Sequence, residues 1–156
     1  MRPQLSDPED QDKYRQLLPL TDAVIRLHEA GEPYSTELKQ MSRLLGRVVG
    51  EADVLAAFGS SDADEFARRF SIDWHAVPMD LSEQELLELF EGVCAGRGLS
   101  VHVEYWLRCI EANTGDDAVS DLIFWPNKYF GAEYSGAELA PAEMLGVVLE
   151  KRCTRR

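Results

Sequence analysis

Helical periodicity, interrupted by glycine and proline, is the feature that most constrains how this chain can fold. Apolar residues recur at spacings of three and four within residues 38–45, 86–93 and 103–110. Such spacing places them on one face of an α-helix. Gly50 and Gly115 follow the first and third of these runs, and glycine is common just beyond a helix end. No segment alternates apolar and polar residues as a half-buried strand would, so we predict an all-α fold.

The first part of the chain, residues 1–78, is predicted to be a helical N-terminal region of unknown role. Residues 1–12 are polar and contain two prolines, which predicts a mobile lead-in. Pro19 is expected to interrupt the next helix, because proline lacks the amide hydrogen that a helix interior needs. The connector 71–80 carries several large apolar side chains, including Trp74, and is therefore predicted to pack rather than to hang free.

Residues 79–156 contain clearer signals for the starts of helices. Ser82 with a glutamate three residues later forms a capping box in front of an apolar stripe. Ser120 or Asp121 can cap a very short apolar segment further along. A long polar loop is predicted over residues 127–139, before a last helix that opens with a proline in its first turn.

The second half of the chain also carries a dense negative charge. The whole chain has a formal net charge of −12, and residues 80–150 hold 14 acidic residues against 3 basic ones. Such a field repels phosphate, so we expect no nucleic-acid partner, and it speeds the approach of a basic protein. Composition alone favours the plainer interpretation of a generic acidic surface.

No constellation typical of catalysis or metal binding occurs in the sequence. There is no phosphate-binding glycine loop, no nucleophile elbow and no metal-ligand spacing. The adjacent Asp116 and Asp117 are predicted to be solvated loop charges, since a calcium loop needs several spaced oxygen ligands. The histidines His28, His75 and His102 are predicted to be packing or surface residues. The cysteines Cys94, Cys109 and Cys153 are predicted to be two core thiols and one thiol near the tail. We therefore predict no enzyme, no catalytic residue, no metal and no cofactor.

The hydropathy pattern bears on where the protein works. No apolar run is long enough to cross a bilayer, and the polar opening residues do not have the pattern of a signal peptide. We expect a cytoplasmic protein without a membrane partner.

The most unusual segment is residues 120–126, Ser-Asp-Leu-Ile-Phe-Trp-Pro. Phe124 and Trp125 are neighbours, and neighbouring side chains on a helix point about 100° apart. One ring can face the core while the other stays at least partly exposed, with Asp121 one turn earlier. Exposed aromatics beside an acid are typical of binding hot spots. The alternative is a helix capped by Asp121 with both rings in the core.

This segment resembles the Asp-Leu-Ile-Tyr-Tyr-Pro signature of the immunity proteins that protect cells making E-type colicins and S-type pyocins. Residues 81–94 are similar to the first helix of that family, and residues 106–114 to its second. Residues 140–152 are similar to its fourth helix. The resemblance therefore covers residues 81–152, with four elements in the family's order and spacing.

The resemblance implies a four-helix domain over residues 79–156, with a very short third helix, that binds a toxin nuclease. The expected fold is thus all-α, with a C-terminal immunity-protein-like bundle. Its expected partner is the basic nuclease domain of a bacteriocin, often of the HNH type, covered beside its active site. The anchors carried over by position are Asp121, Phe124, Trp125 and Pro126. The residues carried over as setting toxin specificity are Val103, Glu104, Leu107 and Glu111.

The sequence departs from the family at three places. Phe124 and Trp125 replace the usual tyrosine pair, which removes two hydroxyl groups from the expected interface. The loop 127–139 is longer than the family's, and its aromatic residues could cover the domain or extend the interface. Lys151 stands where the family usually keeps a tryptophan, so the core there must pack differently.

Other interpretations stay open beside the immunity protein. The second is an interaction or regulatory module that kept an immunity-like fold but binds a different protein. A third, an enzyme, would need a site assembled from distant residues. A fourth is a helix-turn-helix over residues 37–58, although Lys39, Arg43 and Arg47 are too few to hold DNA in an acidic chain. The identity of the toxin, its DNA or RNA target and the oligomeric state are not predicted.

Overall fold

The computed structural model describes residues 1–57, 62–131, 134, 136 and 138–154. Within these residues the regular elements are α-helices, which confirms the predicted all-α class. The helices are α1 (Pro3–Ser6), α2 (Gln11–Glu29), α3 (Ser35–Leu45), α4 (Glu51–Ala57), α5 (Ala63–Ser71), α6 (Glu83–Cys94), α7 (Ser100–Thr114), α8 (Val119–Phe124), α9 (Pro126–Phe130) and α10 (Pro141–Thr154). None of these described helices is long and apolar enough to cross a membrane.

The chain divides into two compact units. The smaller unit is Pro8–Asp73, and the larger unit combines Met1–Asp7 with Trp74–Arg156. The smaller unit therefore lies, in chain order, within the larger one.

The first seven residues pack into the larger unit, so the predicted mobile lead-in is wrong there. Leu5 is fully buried, and the Trp106 indole N–H donates to its carbonyl at 2.6 Å. Arg2 donates to the carboxylates of Glu85 and Asp80, each at 2.9 Å. The hydrogen bond from Arg2, and then those from Ser82, lower the pKa of Glu85 to about 2. Leu5 and the bidentate contact of Arg2 with Glu85 fix this segment to the larger unit, although its polar composition predicted mobility.

The smaller unit is built around α2, which packs against α3 and α5. Helix α2 runs without interruption through Pro19, so the break predicted there is wrong. Asp10 caps its start by accepting from the Lys13 amide. Leu17 and Val24 are fully buried on either side of the proline. Burial of this face offsets the cost of a proline inside a helix, which is about 3 kcal/mol for the lost hydrogen bond and the clash of the ring together.

Helix α3 ends earlier than its apolar spacing predicts. The helix stops at Leu45, because Gly46 adopts the left-handed conformation with φ 67°. Gly50, the predicted stop, instead precedes α4 and donates its amide to Asp53 at 2.9 Å. Phe58, the predicted end of α4, lies outside the described residues.

In the larger unit α6 packs against α7 and α10, and α10 also contacts α8. The capping box formed by Ser82 and Glu85 is confirmed at the start of α6. Gly115, with φ 72°, ends α7 as predicted. The predicted loop 127–139 is wrong at its start, because α9 occupies Pro126–Phe130. Its proline stands at the first helical position, where a missing amide hydrogen costs nothing.

Candidate protein-binding surface on the short helices

Helix α8 is positioned by the residues just before it. The Asp116 carboxylate accepts from the Ala118 amide at 3.0 Å, and Ala118 is the residue that caps the helix. The prediction that Ser120 or Asp121 caps this helix is therefore wrong, since both lie inside it. Three apolar residues of the helix turn into the core: Val119, Leu122 and Ile123.

The aromatic pair is exposed. Phe124 is 49% exposed and Trp125 is 68% exposed, so neither ring lies in the core. The inward positions are taken by Leu122 and Ile123, and the helix ends at Phe124. Trp125 has φ −141° and ψ 65°, outside the helical region, and it joins α8 to α9. The alternative of two core rings is thus excluded, and the expectation of one inward ring is also wrong.

Asp121 lies one turn before Trp125 and contacts a lysine of the next helix. Its carboxylate accepts from the Lys128 ammonium at 3.1 Å, with the Asp121 side chain 23% exposed and the Lys128 side chain 72% exposed. The Asp121 carbonyl accepts from the Trp125 amide at 2.7 Å. Pro126 is partly exposed at the first position of α9. The four anchor residues therefore lie in α8, at the residue that connects α8 to α9, and at the start of α9. Lys128 contacts the first of them, Asp121.

The four residues assigned to specificity lie on α7, which packs against α8. Glu104 is exposed, and Val103, Leu107 and Glu111 are partly exposed. Burial raises the pKa of Glu111, and Arg108 acts against that shift. Their spacings of one, three and four place most of them along one side of the helix.

A cluster of three side chains next to α8 and α9 was not predicted. It consists of Asp116, Tyr129 and Lys151 and is called the node below. Asp116 is only 2% exposed, so its assignment as a solvated loop charge is wrong, whereas Asp117 is exposed. The second oxygen of Asp116 accepts from the Tyr129 hydroxyl at 2.6 Å and from the Lys151 ammonium at 3.4 Å. The sequence signal for this node was Lys151 itself, which stands where the resembled family keeps a tryptophan.

The partners of Asp116 lower its pKa although the side chain is buried. Burial alone would raise the pKa of Asp116, but the hydrogen bonds from Tyr129 and Ala118, together with Lys151, lower it overall. The Lys151 ammonium also lies 4.7 Å from the centre of the Tyr129 ring. A cation over an aromatic face adds a further attraction.

The two aromatic residues of α9 differ in what they contact. Tyr129 turns its hydroxyl to Asp116, while Phe130 stays 42% exposed. Phe130 meets the Tyr129 ring edge-on at 5.0 Å and stacks on Tyr134 at 4.8 Å. Part of the longer segment therefore covers the larger unit, and part adds to its exposed aromatic surface.

The described side chains were also compared with the requirements of a metal site. Among them no group of three or more His, Cys, Asp or Glu could hold a metal ion. Comparisons of the chain with protein-family models, with curated proteins and with solved structures give no match.

Proposed function

We propose that this protein is an immunity protein, not an enzyme, that binds and inhibits the nuclease domain of a bacteriocin by covering the surface beside its active site. The observation that carries the proposal is the pair Phe124 and Trp125, exposed at the end of a six-residue helix one turn after Asp121. Two large neighbouring aromatic side chains that are exposed to solvent are typical of protein-binding hot spots.

The arrangement of helices in the larger unit supports this proposal. Helices α6, α7 and α10 have 12, 15 and 14 residues, whereas α8 has 6. A very short helix in third place is what the resemblance to the immunity family implies for a four-helix bundle. Helix α9 is then an additional element between the third and fourth helices.

The charge of this part of the chain supports a basic partner. Residues 80–150 have 14 acidic and 3 basic residues, and complementary charge speeds association with a basic protein. A nuclease domain is basic because it must hold a phosphate backbone. An acidic protein bound beside the active site would repel and block the nucleic acid, with no need for chemistry of its own.

The chemistry of the anchor residues indicates which groups the binding site of the partner should contain. The rings of Phe124 and Trp125 lack the hydroxyl groups of a tyrosine pair, so an apolar pocket suits them better than a polar one. The indole N–H of Trp125 is a single donor that can meet a carbonyl of the partner. Asp121 can accept from an arginine or lysine of the partner once that group replaces Lys128.

The first test is capture of the partner with purified protein as bait. Lysate of the source cell would be applied at about 0.5 M salt, which weakens contacts that depend on charge alone. The double variant Asp121→Ala/Trp125→Ala removes two anchors. Met79→Ala is the matched control, because Met79 is equally 68% exposed in the same unit but outside the anchors. The captured protein would then be assayed for cleavage of DNA and RNA.

We expect wild type and Met79→Ala to retain one basic nuclease and to inhibit it. The double variant should lose it, since each hot-spot truncation costs about 2 kcal/mol or more, roughly thirtyfold in affinity. Capture of a partner without nuclease activity would instead support the non-enzymatic interaction module. Equal capture by all three baits would refute the assignment of the anchors.

A further inference from the structure

We infer that Asp116 is a positioning residue, which joins α8, α9 and α10 and thereby fixes the direction in which Phe124 and Trp125 point. One carboxylate oxygen accepts from the Ala118 amide at the start of α8. The other accepts from Tyr129 on α9 and from Lys151 on α10. This inference concerns the surface of the proposed function, but its test needs no toxin.

The short helices need such support because of their length. Helix α8 has six residues and α9 has five, and isolated helices far longer than this are marginal in water. Trp125, between them, has a non-helical backbone, so the hydrogen-bond ladder does not run from one helix into the other. The packing of Leu122 and Ile123 anchors α8 from below. In α9 no residue is buried, and Tyr129 supplies its inward contact.

The node is a network of three mutual contacts rather than a single ion pair. The Tyr129 hydroxyl is 2.6 Å from Asp116, and the Lys151 ammonium is 3.4 Å from both of these groups. Lys151 also lies over the Tyr129 ring. The three side chains therefore contact one another in a closed triangle, in which each member restrains the other two. Such mutual restraint is how supporting residues hold a binding surface ready for its partner.

A purely structural role for Asp116 makes a different prediction. If the node only added stability to the larger unit, its loss would loosen α6 and α7 as much as α8 and α9. If it positions the short helices, its loss acts most strongly on residues 119–130. Local opening of this kind is measurable as faster amide hydrogen exchange with the rest of the unit still protected.

The experiment compares the full-length variants Asp116→Asn and Tyr129→Phe with the control Asp117→Asn. The two asparagine variants make the same change of charge at adjacent positions, one buried and one exposed. Tyr129→Phe keeps the charge and the ring, so it tests the node if Asp116→Asn does not fold. Hydrogen exchange would be followed over α6, α7, α8 and α9. The side chain of Trp125 would be followed by fluorine NMR with 5-fluorotryptophan, its signal being assigned by Trp125→Phe.

For Asp116→Asn and Tyr129→Phe we expect exchange in α8 and α9 to accelerate by at least about tenfold more than exchange in α6. The fluorine signal of Trp125 should shift or broaden, while those of Trp74 and Trp106 stay in place. Asp117→Asn should match wild type in both readouts. Equal acceleration in α6 and α8, or an unchanged Trp125 signal, would overturn the inference. Because no partner is present, failure here is distinct from failure of the proposed function.

Discussion

The larger unit contains two aspartate–lysine pairs near its short helices, and they differ in burial rather than in chemistry. Asp116 pairs with Lys151 at 3.4 Å, and the aspartate side chain is 2% exposed. Asp121 pairs with Lys128 at 3.1 Å, and its lysine is 72% exposed. The shorter pair is the weaker one, because water screens it and two flexible side chains must be ordered to form it. Distance alone would rank the two pairs wrongly.

Because of this difference, the pair of Asp116 and Lys151 stabilises the fold, whereas the pair of Asp121 and Lys128 can be replaced by a contact with a partner. The Asp116 carboxylate is also bonded to a hydroxyl and a backbone amide, so removing it leaves two part-buried donors, on Tyr129 and Ala118, without their acceptor. The Asp121 carboxylate has an exposed lysine that a cation of a partner can displace at little cost. Four changes test whether burial makes the two pairs differ.

The largest effect is expected for Asp116→Ala. Removing the buried carboxylate costs about 3 kcal/mol, because the Tyr129 hydroxyl, the Ala118 amide and the Lys151 ammonium all lose their acceptor. Unfolding by urea, followed by circular dichroism, would measure the loss. Asp117→Ala is the control and should change the free energy of unfolding by less than about 0.5 kcal/mol. Equal effects at the two positions would show that the burial of Asp116 does not matter.

A smaller effect is expected for Lys151→Met. The substitution removes the counter-charge of Asp116 but keeps its bonds to Tyr129 and Ala118, and Lys151 is 38% exposed. We expect a loss of about 1–2 kcal/mol in the free energy of unfolding. The pKa of Asp116, measured by NMR titration, should rise. An unchanged pKa would mean that Lys151 does not contact Asp116 in solution.

Acid should weaken the larger unit. The pKa values of Glu85 and Asp116 are lowered in the folded protein, so their contribution is present above their unfolded pKa values and is lost as pH falls through the folded ones. For Glu85 this window runs from 4.5 down to about 2. Glu111 acts in the opposite direction, because its pKa is raised. Midpoints of urea unfolding between pH 5 and pH 2 should therefore decrease, and less steeply in Arg2→Met.

The smallest effect on stability is expected for Lys128→Met, the match to Lys151→Met at the exposed pair. The free energy of unfolding should change by about 1 kcal/mol at most. If Lys128 occupies the place of a cation from the partner, the same variant should bind that partner at least as tightly as wild type. Weaker binding of Lys128→Met, measured by titration calorimetry with the captured nuclease, would show that Lys128 itself contacts the partner.

The parts of this fold that the sequence predicted correctly depend on neighbours in the chain. The capping box at Ser82 and the end of α7 at Gly115 are set within a few residues. At least one ring of Phe124 and Trp125 was expected to be exposed, because neighbouring side chains on a helix point about 100° apart, and both rings are exposed. Within this segment the inward positions went to Leu122 and Ile123, which the local pattern did not specify.

Two of the wrong predictions share a physical cause, which is that distant contacts overrode a local signal. Pro19 did not break α2, because buried side chains on both sides hold the helix together. Residues 1–7 did not stay loose, because Leu5 and Arg2 find partners about 80 to 100 positions away. These outcomes depend on surfaces that form only after the chain has folded.

The helical class, the acidic charge and the presence of an aromatic segment before Pro126 can be read from the sequence, because periodicity, charge and residue type are properties of short stretches. Only the tertiary structure decided which acid is buried. Asp116 and Asp117 are adjacent and chemically identical, yet Asp116 alone meets Tyr129 and Lys151. Those partners are 13 and 35 positions away. The burial of a charge is decided by the groups that surround it, and folding is what brings those groups together.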